Sequence, residues 1–248
     1  MKNAFDLTGK RALITGGGSG IGFGIARTFA DAGASLVIVG RREEVLRKAR
    51  EELGSCCEYK VQDVSDLEAI PAFVKKVGDV DIFVHCAGAH LKKHCLDVSD
   101  AEFARILNIH VNSAFALSRE VARGMKERGG GAILLISSMT AVMGMKQVVA
   151  YTTAKSAILG LQRAMVADLS IDGIRINTIA PGWIETPMLH QAIDADAPRR
   201  AKILDRIPTR RFGDPEDIGN AALFLCSPAG KYVNGVFLPV DAGAAEAF

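Results

Sequence analysis

The 248-residue sequence has no apolar run approaching the roughly 20 residues that cross a bilayer. A membrane-spanning helix is therefore excluded as a reading. It also lacks any block of five or six like charges: 30 Lys and Arg stand against 28 Asp and Glu, a formal balance of +2. No nucleic-acid partner is called for. Five cysteines is an odd number, and adjacent Cys56 and Cys57 cannot easily close an unstrained disulfide. Met1–Leu7 holds one base, one acid and no apolar stretch of signal-peptide length. Reduced thiols and a cytoplasmic location are the expectation. No Pro-rich linker, internal repeat or low-complexity segment divides the chain. The sequence is 49% hydrophobic and 23% charged, within the ordinary globular range. One domain over residues 1–248 with one large core is expected.

Short apolar runs suited to buried strands recur at Arg11–Thr15, Leu36–Val39, Asp81–His85, Ala132–Ile136, Ile174–Ile179 and Gly235–Val240, with a weaker run at Ser55–Val61. Helical spacing lies between them. Ile21, Ile25, Ala26 and Phe29 share one face; Val45, Leu46, Ala49 and Leu53 another; Phe103, Ile106, Leu107, Val111 and Phe115 a third, longer one. Strands that are apolar throughout and alternate with helices imply a parallel sheet covered on both faces. The fold class is α/β, a Rossmann-type doubly wound sheet of about seven strands. Residues 185–211 break the alternation after a strand and read as an inserted substrate lid, because ligands of such sheets bind outside the carboxyl ends of the strands.

Thr15-Gly16-Gly17-Gly18-Ser19-Gly20-Ile21-Gly22 follows the first strand and opens the first helix. Glycines there permit positive φ and close backbone approach, and a helix N-terminus offers free N–H groups to a pyrophosphate. The spacing is T-G-x-x-x-G-x-G, with Gly16, Gly20 and Gly22 in register, rather than G-x-G-x-x-G. At the tip of the second strand, where an acid would accept ribose hydroxyls, stand Arg41 and Arg42. They favour NADP(H), with NAD(H) the alternative if both arginines are merely solvated. Asp63-Val64 ends the third strand; the carboxylate either accepts an adenine amino group or caps the segment that begins near Ser65. Tyr151 and Lys155 are four apart on a helical segment, so they share a face, and a cation beside a phenol favours the phenolate needed for acid–base work.

With these pieces in this order, joined by Ala87-Gly88, Asn112, Ile136-Ser137-Ser138 and Pro181-Gly182-x-Ile184-x-Thr186, the chain resembles the short-chain dehydrogenase/reductase family over essentially its whole length. The resemblance implies that Tyr151 exchanges a proton with the substrate oxygen while hydride moves to or from a nicotinamide. It implies that Lys155 holds the nicotinamide ribose and lowers the Tyr151 pKa. Ser138, 13 residues before the tyrosine, would bond the substrate oxygen, with Ser137 as its rival. Asn112 would hold a relay water against Lys155, whereas Asn108 reads as a solvated helix residue. The cofactor would lie on Gly16, Gly18, Ser19, Gly20, Ile21, Gly22, Ala87 and Gly88, with Pro181, Gly182, Ile184 and Thr186 along the nicotinamide. A homotetramer of 222 symmetry is also implied; the small and apolar residues Ala114, Ala116, Leu117, Ala157, Leu161 and Ala164 permit its helix pairing, or else simply pack on the sheet.

Two departures stand out. His85-Cys86 replaces the family's usual Asn-Asn, so the asparagine side-chain bonds must be replaced or absent. Ala242 replaces a glycine where a positive φ would be strained by a Cβ. His85, Cys86, His90, His94 and Cys95 crowd together but match no four-ligand zinc spacing, and no metal is expected. His90, Lys92, Lys146 and Trp183 are the candidate substrate contacts; Lys93, Arg199 and Arg200 border the same opening, and Arg211 is assigned to the fold. A cationic rim suits a substrate carboxylate. The reading is a hydride-transferring oxidoreductase acting on a small-molecule secondary alcohol or ketone, with a sugar acid or polyol as its substrate. The rivals are a 3-oxoacyl-thioester reductase and, in another class, a non-catalytic dinucleotide sensor; a hydroxysteroid enzyme should show a more apolar rim.

Overall fold

Seven of the apolar runs become strands: β1 Arg11–Thr15, β2 Ser35–Gly40, β3 Cys57–Val61, β4 Ile82–His85, β5 Gly131–Ile136, β6 Ile174–Pro181 and β7 Phe237–Val240. The computed structural model describes residues 3–194 and 196–247. All pairings are parallel, in the order β3-β2-β1-β4-β5-β6-β7. The order reverses between β1 and β4, so a crevice opens at the carboxyl ends of these two strands, where Thr15 pairs with His85. The helices are α1 Gly20–Asp31, α2 Glu43–Leu53, α3 Ile70–Val77, α4 Asp100–Leu107, α5 Ser113–Glu127, α6 Val149–Leu169, α7 Pro187–Ile193, α8 Ala197–Arg206 and α9 Pro215–Cys226.

Because successive strand residues face opposite ways, Ile14, Ile38, Val84 and Leu134 pack with Ile25, Phe29 and Ile218 on one face. Leu13, Val37, Phe83 and Ile133 pack with Leu117, Val121, Ile158 and Met165 on the other. Burial of each such side chain contributes about 1.5–3 kcal/mol. The edges differ from expectation. Residues Gly54–Cys56 form a 3₁₀ turn, so β3 starts at Cys57; Gly235, at φ +79°, keeps β7 from starting before Phe237. The inserted segment 185–211 carries α7 and α8, and its apolar side chains gather with Met139, Phe212 and Trp183.

The helix expected through Phe103–Phe115 is interrupted. Asn108–Asn112 forms a π-helical turn between α4 and α5, and its extra residue rotates everything after it. Phe115 is therefore 45% exposed instead of sharing a face with buried Ile106. Ala114, Ala116 and Leu117 turn into the sheet core instead of standing free for a partner. At the far end, Ala242 adopts φ +55°, the left-handed conformation expected of that position.

Candidate active site

The chain leaves β1 at Thr15 and turns through Gly16–Ser19 into α1. Gly16 has φ +70°, and a Cβ on it would come within 3.0 Å of the Ala87 backbone nitrogen. A Cβ on Gly22 would run into the Gly16 carbonyl oxygen. Only glycine satisfies both positions. Ser19 is the N-cap residue but its side chain caps no N–H, and the first turn of α1 carries no acid. The N–H groups that open α1, with Gly18, Gly20 and Ile21 beside them, therefore face the crevice with the positive end of the helix dipole, and this cradle fits a pyrophosphate.

Arg41 and Arg42 project from the β2 tip, both exposed. Arg41 Nη1 stands 3.8 Å from Asp63 Oδ2. The other oxygen of Asp63 accepts bonds from the Ser65 N–H (2.9 Å) and hydroxyl (2.7 Å) within a turn; it caps no helix, because α3 begins only at Ile70 with Ala69 as its N-cap. Burial pulls Asp63 upward, but the Ser65 bonds and the Arg41 charge hold it below the usual carboxylate value. Val64 beside it is buried.

Ser138 follows β5, and Tyr151 and Lys155 project from the first two turns of α6. The Lys155 ammonium lies 5.5 Å from the centre of the Tyr151 ring and donates to the Ile136 carbonyl at 2.8 Å. Burial pushes Lys155 down to about 8 and pushes the Tyr151 phenol up to about 12, Ser138 pulling the latter the other way. Tyr151 thus enters neutral pH as a protonated acid beside a cation. Ser137 is tied away from this group: its hydroxyl donates to the Lys155 carbonyl at 2.8 Å.

The exit of β4 shows what replaces the missing asparagine bonds. Cys86 N–H and Ala87 N–H both donate to Thr15 Oγ1 at 3.1 Å. Thr15 Oγ1 lies 3.3 Å from His85 Nδ1, and His85 Nε2 lies 3.4 Å from Ser113 Oγ. The Ser113 hydroxyl donates to Ile109 O at 2.5 Å, which leaves His85 Nε2 as donor and Nδ1 as acceptor from Thr15. A side-chain chain therefore runs from β1 through β4 to the π turn. Burial, then the Lys155 charge, push His85 down to about 3, so it is neutral. Burial likewise raises Cys86 to about 11, leaving an unreactive thiol. His94 Nδ1 accepts from Leu96 N–H at 3.4 Å and Cys95 is exposed, so neither converges with His85.

Asn112 is not brought to this group. It is exposed, and its amide donates to Asn108 Oδ1 at 3.2 Å. Asn108, expected to be solvated, instead donates to Ser65 O at 2.9 Å. The π turn is the cause: it points Asn112 outward and carries His110 inward. The His110 ring meets Tyr151 edge to face, centroids 5.5 Å apart at 89°. Its Nε2 is 2.8 Å from Ala89 O and 3.1 Å from Ala89 N. Gly88 lies against the same ring, whose Nδ1 would be 3.2 Å from a Cβ there. Sequence reasoning missed His110, although Ile106, His110, Ala114, Leu117 and Val121 fall at spacings of four and three, a buried stripe with one polar member.

The segment after β6 is fastened above the glycine turn. Pro181 ends the strand and Gly182 N–H donates to Val240 O at 3.0 Å. Ile184 bridges to Gly213, and Thr186, the N-cap of α7, stands 3.2 Å from where a Gly20 Cβ would be. Trp183 packs with the lid cluster and borders a hollow of about 250 Å³ whose lining does not include Ser138 or Tyr151. It is a lid-packing residue more than a wall of the reacting centre.

His90 does face that centre, its ring 5.1 Å from that of Tyr151. Burial, then the charges of Arg199 and Lys92, push His90 down. Lys93 N–H donates to Gln147 O at 2.8 Å and Lys93 bridges to Val148, so the loops carrying Lys92 and Lys146 run side by side. Lys93 itself is committed to Glu102 at 2.9 Å and Arg200 stacks over Phe212. Arg211 bonds Phe212 O at 3.2 Å, in keeping with a role in the fold. Among the described residues, Lys92, Lys146 and Arg199 form no ion pair with an acidic side chain.

Comparison with known proteins extends this geometry. The family model described as Enoyl-(Acyl carrier protein) reductase matches residues 16–245. The chain is 40% identical to 7alpha-hydroxysteroid dehydrogenase of Escherichia coli (strain K12), covering 97% of this chain and 96% of that protein. It is 37% identical to 2-dehydro-3-deoxy-D-gluconate 5-dehydrogenase of Bacillus subtilis (strain 168), covering 98% and 97%. A crystal structure of a gluconate 5-dehydrogenase from Burkholderia cenocepacia J2315, in complex with NADP and tartrate, superposes with a TM-score of 0.92 at 35% identity, covering 99% of this chain and 98% of that one.

Proposed function

Because the chain belongs to the short-chain dehydrogenase/reductase family and is an NAD(P)(H)-dependent oxidoreductase, we propose that it interconverts a secondary alcohol and a ketone on a small carboxylic acid, with NADP(H) preferred. The observation that carries the reading is the Ser138, Tyr151 and Lys155 group at the carboxyl ends of the strands, flanked by the glycine cradle and by the cations Lys92 and Arg199.

The nicotinamide cofactor supplies and receives the hydride when bound. Gly16, Gly18, Ser19, Gly20, Ile21 and Gly22 would hold its pyrophosphate, Arg41 and Arg42 a 2′-phosphate, Asp63 and Val64 the adenine. Ala87, Gly88, Pro181, Gly182, Ile184 and Thr186 would line the nicotinamide side. In the reductive direction Tyr151 gives its phenol proton to the substrate oxygen, and Ser138 donates a hydrogen bond to the same oxygen as negative charge develops there. The Lys155 ammonium stabilises the resulting phenolate and would offer one of its two remaining N–H groups to the ribose. His90 and Trp183 stand at the mouth and its lid, and Lys92 or Lys146 with Arg199 would seat the substrate carboxylate.

The sugar-acid reading draws on the relatives that act on gluconates, and a reduced cytoplasm suits the five free cysteines. A 3-oxoacyl thioester is the second reading, favoured by 33% identity over 96% of this chain to the 3-oxoacyl-[acyl-carrier-protein] reductase FabG of Vibrio harveyi and by a cationic rim that suits an acidic carrier. A homotetramer is proposed from the family alone. Its pairing face narrows to exposed Phe115 and Ala164 with Ala157 and Leu161 beside them, since the other small residues are spent on the core. A mass of one chain in light scattering at micromolar concentration would overturn it.

The test is turnover of hexonates, their neutral polyol counterparts, a bile acid and a 3-oxoacyl thioester, each with NADP(H) and NAD(H). Fastest turnover of a hexonate with NADP(H) is expected. Preference for the thioester or the bile acid would overturn the substrate assignment, and no turnover with any would overturn the activity.

A further inference from the structure

His110 is 2% exposed, yet one of its two ring nitrogens, Nδ1, has no hydrogen-bond partner among the described residues. Buried polar atoms are almost always paired, by protein or by ordered water. The other nitrogen fixes the tautomer. Nε2 is nearer to the Ala89 carbonyl (2.8 Å) than to the Ala89 amide (3.1 Å), so it carries the proton and donates. Nδ1 is then a buried lone-pair acceptor.

Three neighbours decide what that acceptor serves. The Tyr151 ring stands at a right angle to the imidazole, centroids 5.5 Å apart. Lys155 bears on His110 strongly enough that, after burial itself, its charge is the largest influence holding the imidazole neutral. The Lys155 ammonium has three N–H groups and gives one to Ile136. The third neighbour is the backbone at Gly88 and Ala89, which the imidazole clamps from beneath.

We propose that His110 is a positioning residue for the Tyr151 and Lys155 pair: its ring fixes the tyrosine against the Gly88-Ala89 loop, and its Nδ1 accepts from a water that also bonds the Lys155 ammonium. The inference rests on the oxidoreductase reading and supplies what Asn112 does not reach. In reduction, the proton that Tyr151 gives to the substrate oxygen is replaced from Lys155. The amine left behind takes a proton from the water held at Nδ1, and that water is reprotonated from solvent. No proton is left over and no co-reactant is needed. His110 stays neutral throughout and acts by holding the water.

His110→Phe keeps the ring and removes both nitrogens; His110→Asn returns a short amide acceptor. Two readouts are needed: kcat with its solvent deuterium isotope effect, and the Lys155 titration followed by nitrogen NMR, with Lys155→Met to assign the signal. For His110→Phe the expectation is cofactor affinity within about threefold of the parent, kcat lower by tenfold or more, a larger isotope effect, and a Lys155 midpoint about one unit lower because the charged form has lost a partner. His110→Asn should recover kcat to within about threefold. An unchanged kcat or an unchanged Lys155 midpoint in His110→Phe overturns the proposal. If His110→Phe does not fold, His110→Asn decides alone, and tenfold loss of kcat in a folded, cofactor-binding His110→Asn overturns it. Failure of the parent to turn over any alcohol or ketone would instead overturn the oxidoreductase assignment, while the Lys155 titration would still read His110.

Discussion

The ammonium of Lys155 donates a 2.8 Å hydrogen bond to the carbonyl of Ile136, the last residue of β5, from a side chain that is 5% exposed. A lysine with one protein acceptor in that setting is held at a cost, and burial lowers it from 10.5 to about 8. Between these values the unfolded chain holds the proton that the folded chain has released. Stability from this group therefore rises with pH from about 8 to 10.5, and below 8 the buried charge costs up to about 3 kcal/mol. Lys155→Met should accordingly be more stable than the parent in urea at pH 7, with the gap closing by pH 10.5, while kcat falls at least a hundredfold. A Lys155→Met protein less stable than the parent at pH 7 would show that the Ile136 bond outweighs burial.

His85 makes a prediction of the same sign at lower pH. Burial, then the Lys155 charge, lower it from 6.5 to about 3, while Thr15 and Ser113 hold the ring in place. The unfolded chain takes up a proton below 6.5 that the folded chain refuses, so stability is lost as pH drops from 6.5 toward 3. At pH 4.5 the loss from this residue is about 3 kcal/mol. His85→Asn should flatten the fall of melting temperature between pH 7 and 4.5, taking up about one proton fewer on unfolding. An identical slope in both proteins would show that His85 does not carry the acid sensitivity.

Arg41 and Arg42 are the residues on which cofactor choice turns. Charge-assisted bonds to a 2′-phosphate contribute about 1.5–3 kcal/mol each. Arg42→Ala, and Arg41→Ala more modestly because Asp63 already lies 3.8 Å from Arg41, should weaken NADPH binding by tenfold or more and leave NADH within about threefold. Nicotinamide fluorescence titration reads both. Equal losses for the two cofactors would mean that the arginines support the loop and not the phosphate.

Most of what positions the site was legible because it is local. β1 matches its apolar run residue for residue, the glycine turn, Tyr151 and Lys155 lie where short-range patterns put them, and Ser138 follows β5 at the place the family resemblance implies. The π turn was not legible. Phe103 to Phe115 reads as one continuous helix, and a single inserted residue, stabilised by contacts of the folded chain, sends Asn112 to solvent and His110 to the tyrosine. Lys93 was equally hidden, since its partner Glu102 is set by how the loop folds back. His85 fell between these cases: the sequence shows that asparagines are missing, whereas Thr15 and Ser113, 98 residues apart as counted along the chain, become its partners only once β1, β4 and the π turn converge.

Ala242 carries a prediction that needs no knowledge of substrate. It holds φ +55°, where an L side chain is disfavoured by about 1–2 kcal/mol. The turn is kept in that shape from both sides: Asp241 accepts bonds from Gly243 N–H at 3.0 Å and Ala245 N–H at 2.9 Å, and Ala244 is buried in the lid cluster. The Ala242 methyl is exposed, so its removal opens no cavity. Glycine regains the strain but also gains freedom in the unfolded chain, about 0.4–1 kcal/mol against it. The net expectation for Ala242→Gly is stabilisation of about 0.5–1 kcal/mol, a rise of about 1–4 °C in Tm for a chain of this size. Ala242→Val should move Tm down by at least as much, because a β-branched side chain is worse in the left-handed region. Calorimetry of the two variants decides it: a fall for glycine together with no change for valine would mean that this turn relaxes out of the left-handed conformation in solution.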